Sequence, residues 1–126
     1  MIYSILYVAL GGALGSVARF LVSKATQSVC TTHLPIATLI VNVLGCFFIG
    51  MLYALFERNA TIGANMRLML TVGLCGGFTT FSTFMNENFN LMQGGNIAIS
   101  ALYIGISVTL GFLGVWLGAW VIRVAG

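Results

Sequence analysis

Four apolar stretches leave this chain almost no charge with which to face water. They run from about residue 2 to 22, 36 to 56, 66 to 92 and 97 to 122. An α-helix needs about 20 apolar residues to cross roughly 30 Å of hydrocarbon. Only 6% of the 126 residues are charged, against about 25% in a soluble domain. The pattern predicts an all-α membrane protein, in which one domain over residues 1–126 holds four transmembrane helices.

Polar residues mark the connections between these helices. We predict a polar loop over residues 24–33, after which Pro35 suits the first turn of the second helix. Residues 59–65 form a short connection, and a polar stretch over 86–96 ends the third helix. The first stretch lacks a positively charged start and a small-residue cleavage site, so we expect a retained helix rather than a signal peptide.

The positive residues are scattered, so they form no patch for nucleic acid and we expect no nucleic-acid partner. An even number of helices places three of them on one side of the membrane and two on the other. A difference of one positive charge between the two sides does little to fix the orientation in which the chain inserts into the membrane. We therefore expect both orientations and an antiparallel, dual-topology homodimer in the lipid bilayer. The residues are Arg58, Arg67 and Arg123 on one side, and Arg19 and Lys24 on the other.

Small residues predict close helix packing, and neither the cysteines nor His33 predict a metal site. Three G-x-x-x-G pairs occur, and this spacing lets helix backbones approach closely in lipid. Three cysteines show no CxxC pair, which favours small buried hydrophobic residues, and His33 stands alone. The glycine pairs are Gly11 and Gly15, Gly73 and Gly77, and Gly114 and Gly118, and the cysteines are Cys30, Cys46 and Cys75.

The third stretch carries a polar run, GGFTTFSTFMNEN over residues 76–88, that ordinary membrane packing does not explain. A single Ser or Thr can bond back to its own helix, but this run has four hydroxyls beside two glycines. Gly76 and Gly77 next to Thr79 and Thr80 predict a break near the middle of the helix. A break frees backbone carbonyls, which must be satisfied, and a hard monovalent cation is one solution.

Phe81 and Phe84 are three residues apart, so they share a helix face. Aromatic rings are positive at their edges, and ring edges would attract a small anion weakly. The hydroxyls of Ser82 and Thr83 add donors, and weak binding permits both entry and release. Taken alone, however, two Phe residues in a membrane helix fit lipid or core packing equally well.

The other helices supply matching polar groups. Asn42 lies midway along the second helix with Thr38 one turn before it, and Tyr103 and Ser107 share a face of the fourth. Arg19 and Glu87 lie near helix ends, where a vestibule is expected. The residues thus predict a small-ion pathway.

The sequence resembles the Fluc family of bacterial fluoride channels, also called CrcB proteins. The resemblance rests on GGALGSVARF at 11–20, VNVLGCFFIG at 41–50 and GFTTFSTF at 77–84. It implies a multi-pass protein of the bacterial inner membrane that exports cytoplasmic fluoride passively, with two pores in an antiparallel homodimer. This sequence departs from the family pattern at Met85, a position at which members of the family often have Ser.

The resemblance also implies roles for individual residues. The Gly76 and Thr79 carbonyls would hold a structural sodium ion at the dimer axis. Arg19 and Glu87 would lie at the pore vestibules. The fluoride pore would be lined by Phe81, Phe84, Asn42, Ser82, Thr83, Tyr103, Ser107 and Thr38.

Two alternatives belong to other classes. A small dual-topology drug or cation exporter would need a membrane-embedded acid in the first helix, which has none. A non-transporting membrane scaffold fits the glycines but gives no reason for polar stripes on three helices. The chain shows no nucleotide-binding motif, and we expect no enzyme activity and no organic cofactor.

Overall fold

The computed structural model describes residues 1–29 and 35–125, and all regular structure in them is helical. Within these residues, four helices are long and apolar enough to cross a membrane. The predictions of an all-α membrane protein and of four transmembrane helices are confirmed. The predictions for Cys30 and His33 lie outside the described residues. The four helices are Ile2–Val29 (α1), Ile36–Arg58 (α2), Ala64–Gln93 (the third span) and Ile97–Ala125 (α6).

The third span is broken, as predicted, but the break lies at the threonines rather than at the glycines. Thr79 and Thr80 have extended backbones, whereas Gly76 is helical. Gly77 serves packing instead, because a Cβ there would lie 2.8 Å from the Gly12 carbonyl oxygen of α1. The span consists of α3 (Ala64–Leu68), a π-helical segment (Met69–Cys75), α4 (Gly76–Phe78) and α5 (Phe81–Gln93).

Glycines lie where two pairs of helices touch, which confirms the packing predicted from their spacing. At Gly11 and Gly15 of α1, an added Cβ would meet backbone atoms of the π-helical segment. At Gly118 of α6, it would meet the Phe47 carbonyl oxygen of α2. Removing the side chain lets the backbones touch, which is how helices associate without a hydrophobic drive between them. The half of the third span before the break thus packs on α1, while α2 packs on α6.

The predicted loop over residues 24–33 is wrong in its first part, because α1 continues to Val29. At 28 residues, this helix is about 42 Å long at 1.5 Å per residue, which exceeds the roughly 30 Å of hydrocarbon. Its last turns are polar and bond their own backbone. Thr26 Oγ1 donates to the Val22 carbonyl at 2.8 Å, and Ser28 Oγ donates to the Ala25 carbonyl at 2.7 Å.

Candidate ion pathway

The break in the third span is held by the amide of one side chain, Asn42. Its Nδ2 donates to the Thr80 carbonyl at 3.1 Å, and its Oδ1 accepts from the Thr80 amide nitrogen at 2.8 Å. Thr80 Oγ1 in turn accepts from the Thr83 amide nitrogen at 3.3 Å and caps the start of α5. Asn42 was predicted to line the pore. In the structure it replaces both helical hydrogen bonds of the Thr80 backbone.

These contacts change the hydrogen bonding of two carbonyls near the break. In a continuous α-helix, each amide donates to the carbonyl four residues earlier. The Thr80 amide would then bond Gly76, and the Thr83 amide would bond Thr79. Here the first donates to Asn42 and the second donates to the Thr80 hydroxyl. The carbonyls of Gly76 and Thr79, the two predicted sodium ligands, therefore lose their α-helical partners.

Arg19 lies close to the break. Its Nε donates to the Gly77 carbonyl at 3.1 Å, and the side chain is half-buried between α1 and the third span. A positive charge at the carbonyl end of a helical segment is favourable, because the backbone dipole is negative there. The structure thus places this predicted vestibule residue against the backbone that precedes Thr79.

Glu87 gathers two hydroxyls that the sequence placed on separate polar stripes. Thr38 Oγ1 donates to Glu87 Oε2 at 2.8 Å, and the Tyr103 hydroxyl donates to Oε1 at 2.8 Å. Both carboxylate oxygens are therefore bonded, and α2, α5 and α6 meet at this group. In this arrangement the hydrogen of Tyr103 is directed at Glu87, so it is not free to donate to an anion.

The two aromatic rings of the polar run differ in their surroundings. Their centroids lie 6.2 Å apart, but Phe84 is 7% exposed and Phe81 is 72% exposed. The Phe84 ring meets the Tyr103 ring in an edge contact, with centroids 4.9 Å apart and planes at 67°. Phe84 therefore belongs to the Glu87 cluster, whereas Phe81 lies on the outer surface of the single chain.

The remaining predicted pore residues are separate from that cluster. Ser82 and Thr83 are exposed beside Phe81, and the Thr83 hydroxyl accepts from Thr80 Oγ1 at 3.1 Å. Ser107 Oγ is buried and has no hydrogen-bond partner among the described residues. Ser107 therefore has a free hydrogen-bonding group one turn from Tyr103. An unpaired buried hydroxyl is costly in an apolar environment, so a bound ligand that accepts its hydrogen bond would be favoured.

Sequence reasoning missed a buried pair one turn beyond Phe84. Asn88 Nδ2 donates to the Phe84 carbonyl at 2.9 Å, and Ser100 Oγ of α6 donates to Asn88 Oδ1 at 2.9 Å. Their exposed fractions are 4% and 2%. The spacing of four residues places Asn88 on the face of Phe84, and this signal was available in the sequence. The partner, Ser100, gave no such signal.

The profile of a family described as CrcB-like protein, Camphor Resistance (CrcB), matches residues 6–119. The chain belongs to the CrcB family. The resemblance inferred from its motifs is thereby confirmed, and the match to the CrcB profile includes the break, Asn42, Glu87 and both aromatic rings.

Curated relatives support this assignment. A protein of Phocaeicola vulgatus is 50% identical over 93% of this chain and 96% of its own length. One of Flavobacterium psychrophilum is 43% identical over 91% of this chain and 93% of its own length. One of Maridesulfovibrio salexigens is 48% identical over 85% of each chain. All three are named fluoride-specific ion channel FluC.

Proposed function

We propose that this protein is a fluoride-selective channel of the bacterial inner membrane. Its relatives are named for fluoride conduction, and four helices can cross a membrane within the described residues. Fluoride leaves the cytoplasm passively, because a membrane potential acts on an anion with about 2.3 kcal/mol per charge per 100 mV. The observation that carries the proposal is a break near the middle of the third span, fixed by Asn42, beside the aromatic pair Phe81 and Phe84.

The anion is bound weakly along the pathway. Ring edges of Phe81 and Phe84 carry partial positive charge, and the hydroxyls of Ser82, Thr83 and Ser107 can donate hydrogen bonds. Arg19 is engaged by Gly77, so its charge is held at the break. Weak, repeated sites permit conduction, whereas one strong site would trap the ion. Asn42, Thr38 and Tyr103 complete the wall, with Glu87 at the vestibule.

A second copy of the chain closes the pathway. Phe81 is 72% exposed, and the hydroxyl residues Ser82 and Thr83 are exposed beside it. A hydroxyl face is unfavourable against lipid tails, so we infer that a partner chain covers it. The small charge bias favours an antiparallel pair, which gives two equivalent pores. In a chain whose Cys30, Cys46 and Cys75 are replaced by Ala, labelling of Ala60→Cys from both sides of the membrane is expected, and labelling from one side only contradicts dual topology.

A sodium ion at the dimer axis would satisfy the Gly76 and Thr79 carbonyls. The diverted amides of Thr80 and Thr83 support this proposal, because they leave these two oxygens without α-helical donors. Carbonyl oxygens suit a hard cation, and unwound helix backbone coordinates sodium in other transport proteins. Two copies would supply four such oxygens. The ion would hold the two breaks together rather than take part in conduction.

Efflux from liposomes tests the proposed function. Purified protein is reconstituted into vesicles that contain both potassium fluoride and potassium chloride, and valinomycin is added to carry potassium. We expect fluoride to leave within the recording while chloride stays inside. Retention of both anions would support a scaffold, and release of both would contradict selectivity.

A further inference from the structure

The helix after the break, α5, has little apolar contact with the rest of the chain. Of its 13 residues, all of them described, only Phe84 and Asn88 are buried. The extended backbone at Thr79 and Thr80 separates α5 from the helical segments before it. Helix continuity therefore does not fix the rotation of α5 about its own axis. Other contacts must set the direction in which its side chains point.

Asn88 makes such a contact with both ends of its amide. Nδ2 donates to the Phe84 carbonyl within α5, and Oδ1 accepts from Ser100 Oγ on α6. The first bond fixes the orientation of the amide, so the second has a defined direction. Both residues are almost completely buried, and a buried hydrogen bond of this kind is costly to leave half-made.

The Asn88–Ser100 bond lies beside the aromatic contact. Phe84 and Asn88 are one turn apart on α5, and Ser100 and Tyr103 are one turn apart on α6. The Phe84–Tyr103 rings thus form one contact between the helices, and Asn88–Ser100 forms the next. Two adjacent contacts on one face, beside the hydrogen bonds of Glu87 to Thr38 and Tyr103, define the rotation of α5, and the Asn88–Ser100 bond is the one farthest along α5 from the break.

We propose that Asn88 and Ser100 are a positioning pair, which fixes the rotation of α5 and so sets where the Phe84 and Phe81 rings lie. Neither residue needs to touch the ion. The effect on flux rests on the proposed function, because Phe81 and Phe84 matter for conduction only in a fluoride channel. The effect on ring position does not rest on it.

The experiment measures ring position and flux separately in the reconstituted full-length protein. Fluorine NMR of 4-fluorophenylalanine in place of Phe84 reports the ring environment. The variants are Asn88→Ala, Ser100→Ala, the double variant and Ser100→Thr, which keeps the hydroxyl. Asn90→Ala is the matched control, because this amide lies on the same helix but is exposed. Fluoride efflux is recorded for the same variants without the fluorinated residue.

Asn88→Ala and Ser100→Ala are expected to shift or broaden the Phe84 resonance, and the double variant should change it no further. Fluoride efflux should fall about tenfold in each, which corresponds to about 1.4 kcal/mol. Ser100→Thr should keep the resonance and the efflux of the unaltered protein, and Asn90→Ala should change neither of them. An unchanged resonance in folded Ser100→Ala would overturn the proposal, even if Asn88→Ala fails to fold. Absence of efflux from the unaltered protein would instead contradict the proposed function.

Discussion

The two halves of the third span are held by different kinds of contact. Before the break, backbone lies on backbone: a Cβ at Gly73 would be 2.8 Å from the Val8 carbonyl oxygen of α1. After the break, α5 is held by hydrogen bonds of Glu87 and Asn88 and by one aromatic contact. Where the first half meets α1, at Gly73 and Gly77, there is no space for a side chain. The second half exposes Phe81 and its neighbouring hydroxyls.

This difference separates anchoring from ion contact. Backbone-to-backbone contacts at glycines leave little freedom of movement, so they hold the first half of the third span, and the carbonyls at its end, in one position against α1. Hydrogen-bonded side chains can exchange partners, because donors and acceptors such as Tyr103 and Glu87 can each bond another group. A pathway for a dehydrated anion needs donors of this kind, whereas a rigid anchor does not.

The largest effect is expected at Asn42, because this residue joins the two halves. Asn42→Ala removes both hydrogen bonds to the Thr80 backbone, so the backbone amide and carbonyl of Thr80 lose these partners. We expect fluoride efflux to fall to the background of empty vesicles and stability to drop by about 1–3 kcal/mol. Efflux and denaturant unfolding measure the two effects. Normal efflux would show that the break does not depend on this side chain.

Loss of flux without loss of assembly is expected at the aromatic pair. Phe81→Ile and Phe84→Ile keep apolar bulk but remove the ring edges that attract an anion. Fluoride efflux should be abolished in both, while size-exclusion chromatography shows the same assembly as the unaltered protein. Phe89→Ile on the same helix, which is also exposed, is the control. Full efflux in both test variants would refute the ring-edge mechanism.

Loss of stability without a direct effect on ion contact is expected in the anchored half. Gly11→Ala places a methyl group against the backbone of the π-helical segment, and such overpacking costs about 1–3 kcal/mol. At Gly12, an added Cβ has no neighbour within 4 Å among the described residues, so Gly12→Ala should be neutral or slightly stabilising. Thermal unfolding of both variants in detergent measures the difference. Equal stability would contradict backbone packing at Gly11.

The smallest effect is expected from sodium. If the Gly76 and Thr79 carbonyls bind it, a tenfold rise in sodium above its dissociation constant should stabilise the folded state by about 1.4 kcal/mol per site. Unfolding in sodium and in N-methylglucamine at equal ionic strength provides the comparison. A transition that depends on ionic strength alone would rule out a specific site.

The sequence predicted the helices and the small-residue contacts well, because both depend on local patterns. Apolar length indicated the four spans, and G-x-x-x-G spacing indicated the packing. The polar run located the break to within three residues, although Thr79 and Thr80 carry it rather than Gly76 and Gly77. Glycines can serve either a break or a close contact, and only the neighbouring helix decides between these uses.

The site was less predictable, because its contacts join residues that are distant in sequence. Arg19 and the Gly77 carbonyl are 58 positions apart, and Asn42 and Thr80 are 38 apart. The sequence placed Asn42 on a polar stripe and Glu87 near a helix end, but it did not identify their hydrogen-bond partners. The Asn88–Ser100 bond was missed for the same reason: a buried amide needs a partner, and only the approach of α6 supplies one.

The reversal potential of the current through a bilayer tests the central claim most directly. Fluoride is placed on one side of the bilayer, chloride on the other, and the same impermeant cation on both. If the pathway is passive and fluoride-selective, the fluoride gradient alone should determine the reversal potential. We predict a reversal far from zero, with the sign expected for fluoride, and no shift when the chloride concentration is changed. A reversal near zero, or one that follows chloride, would contradict the account.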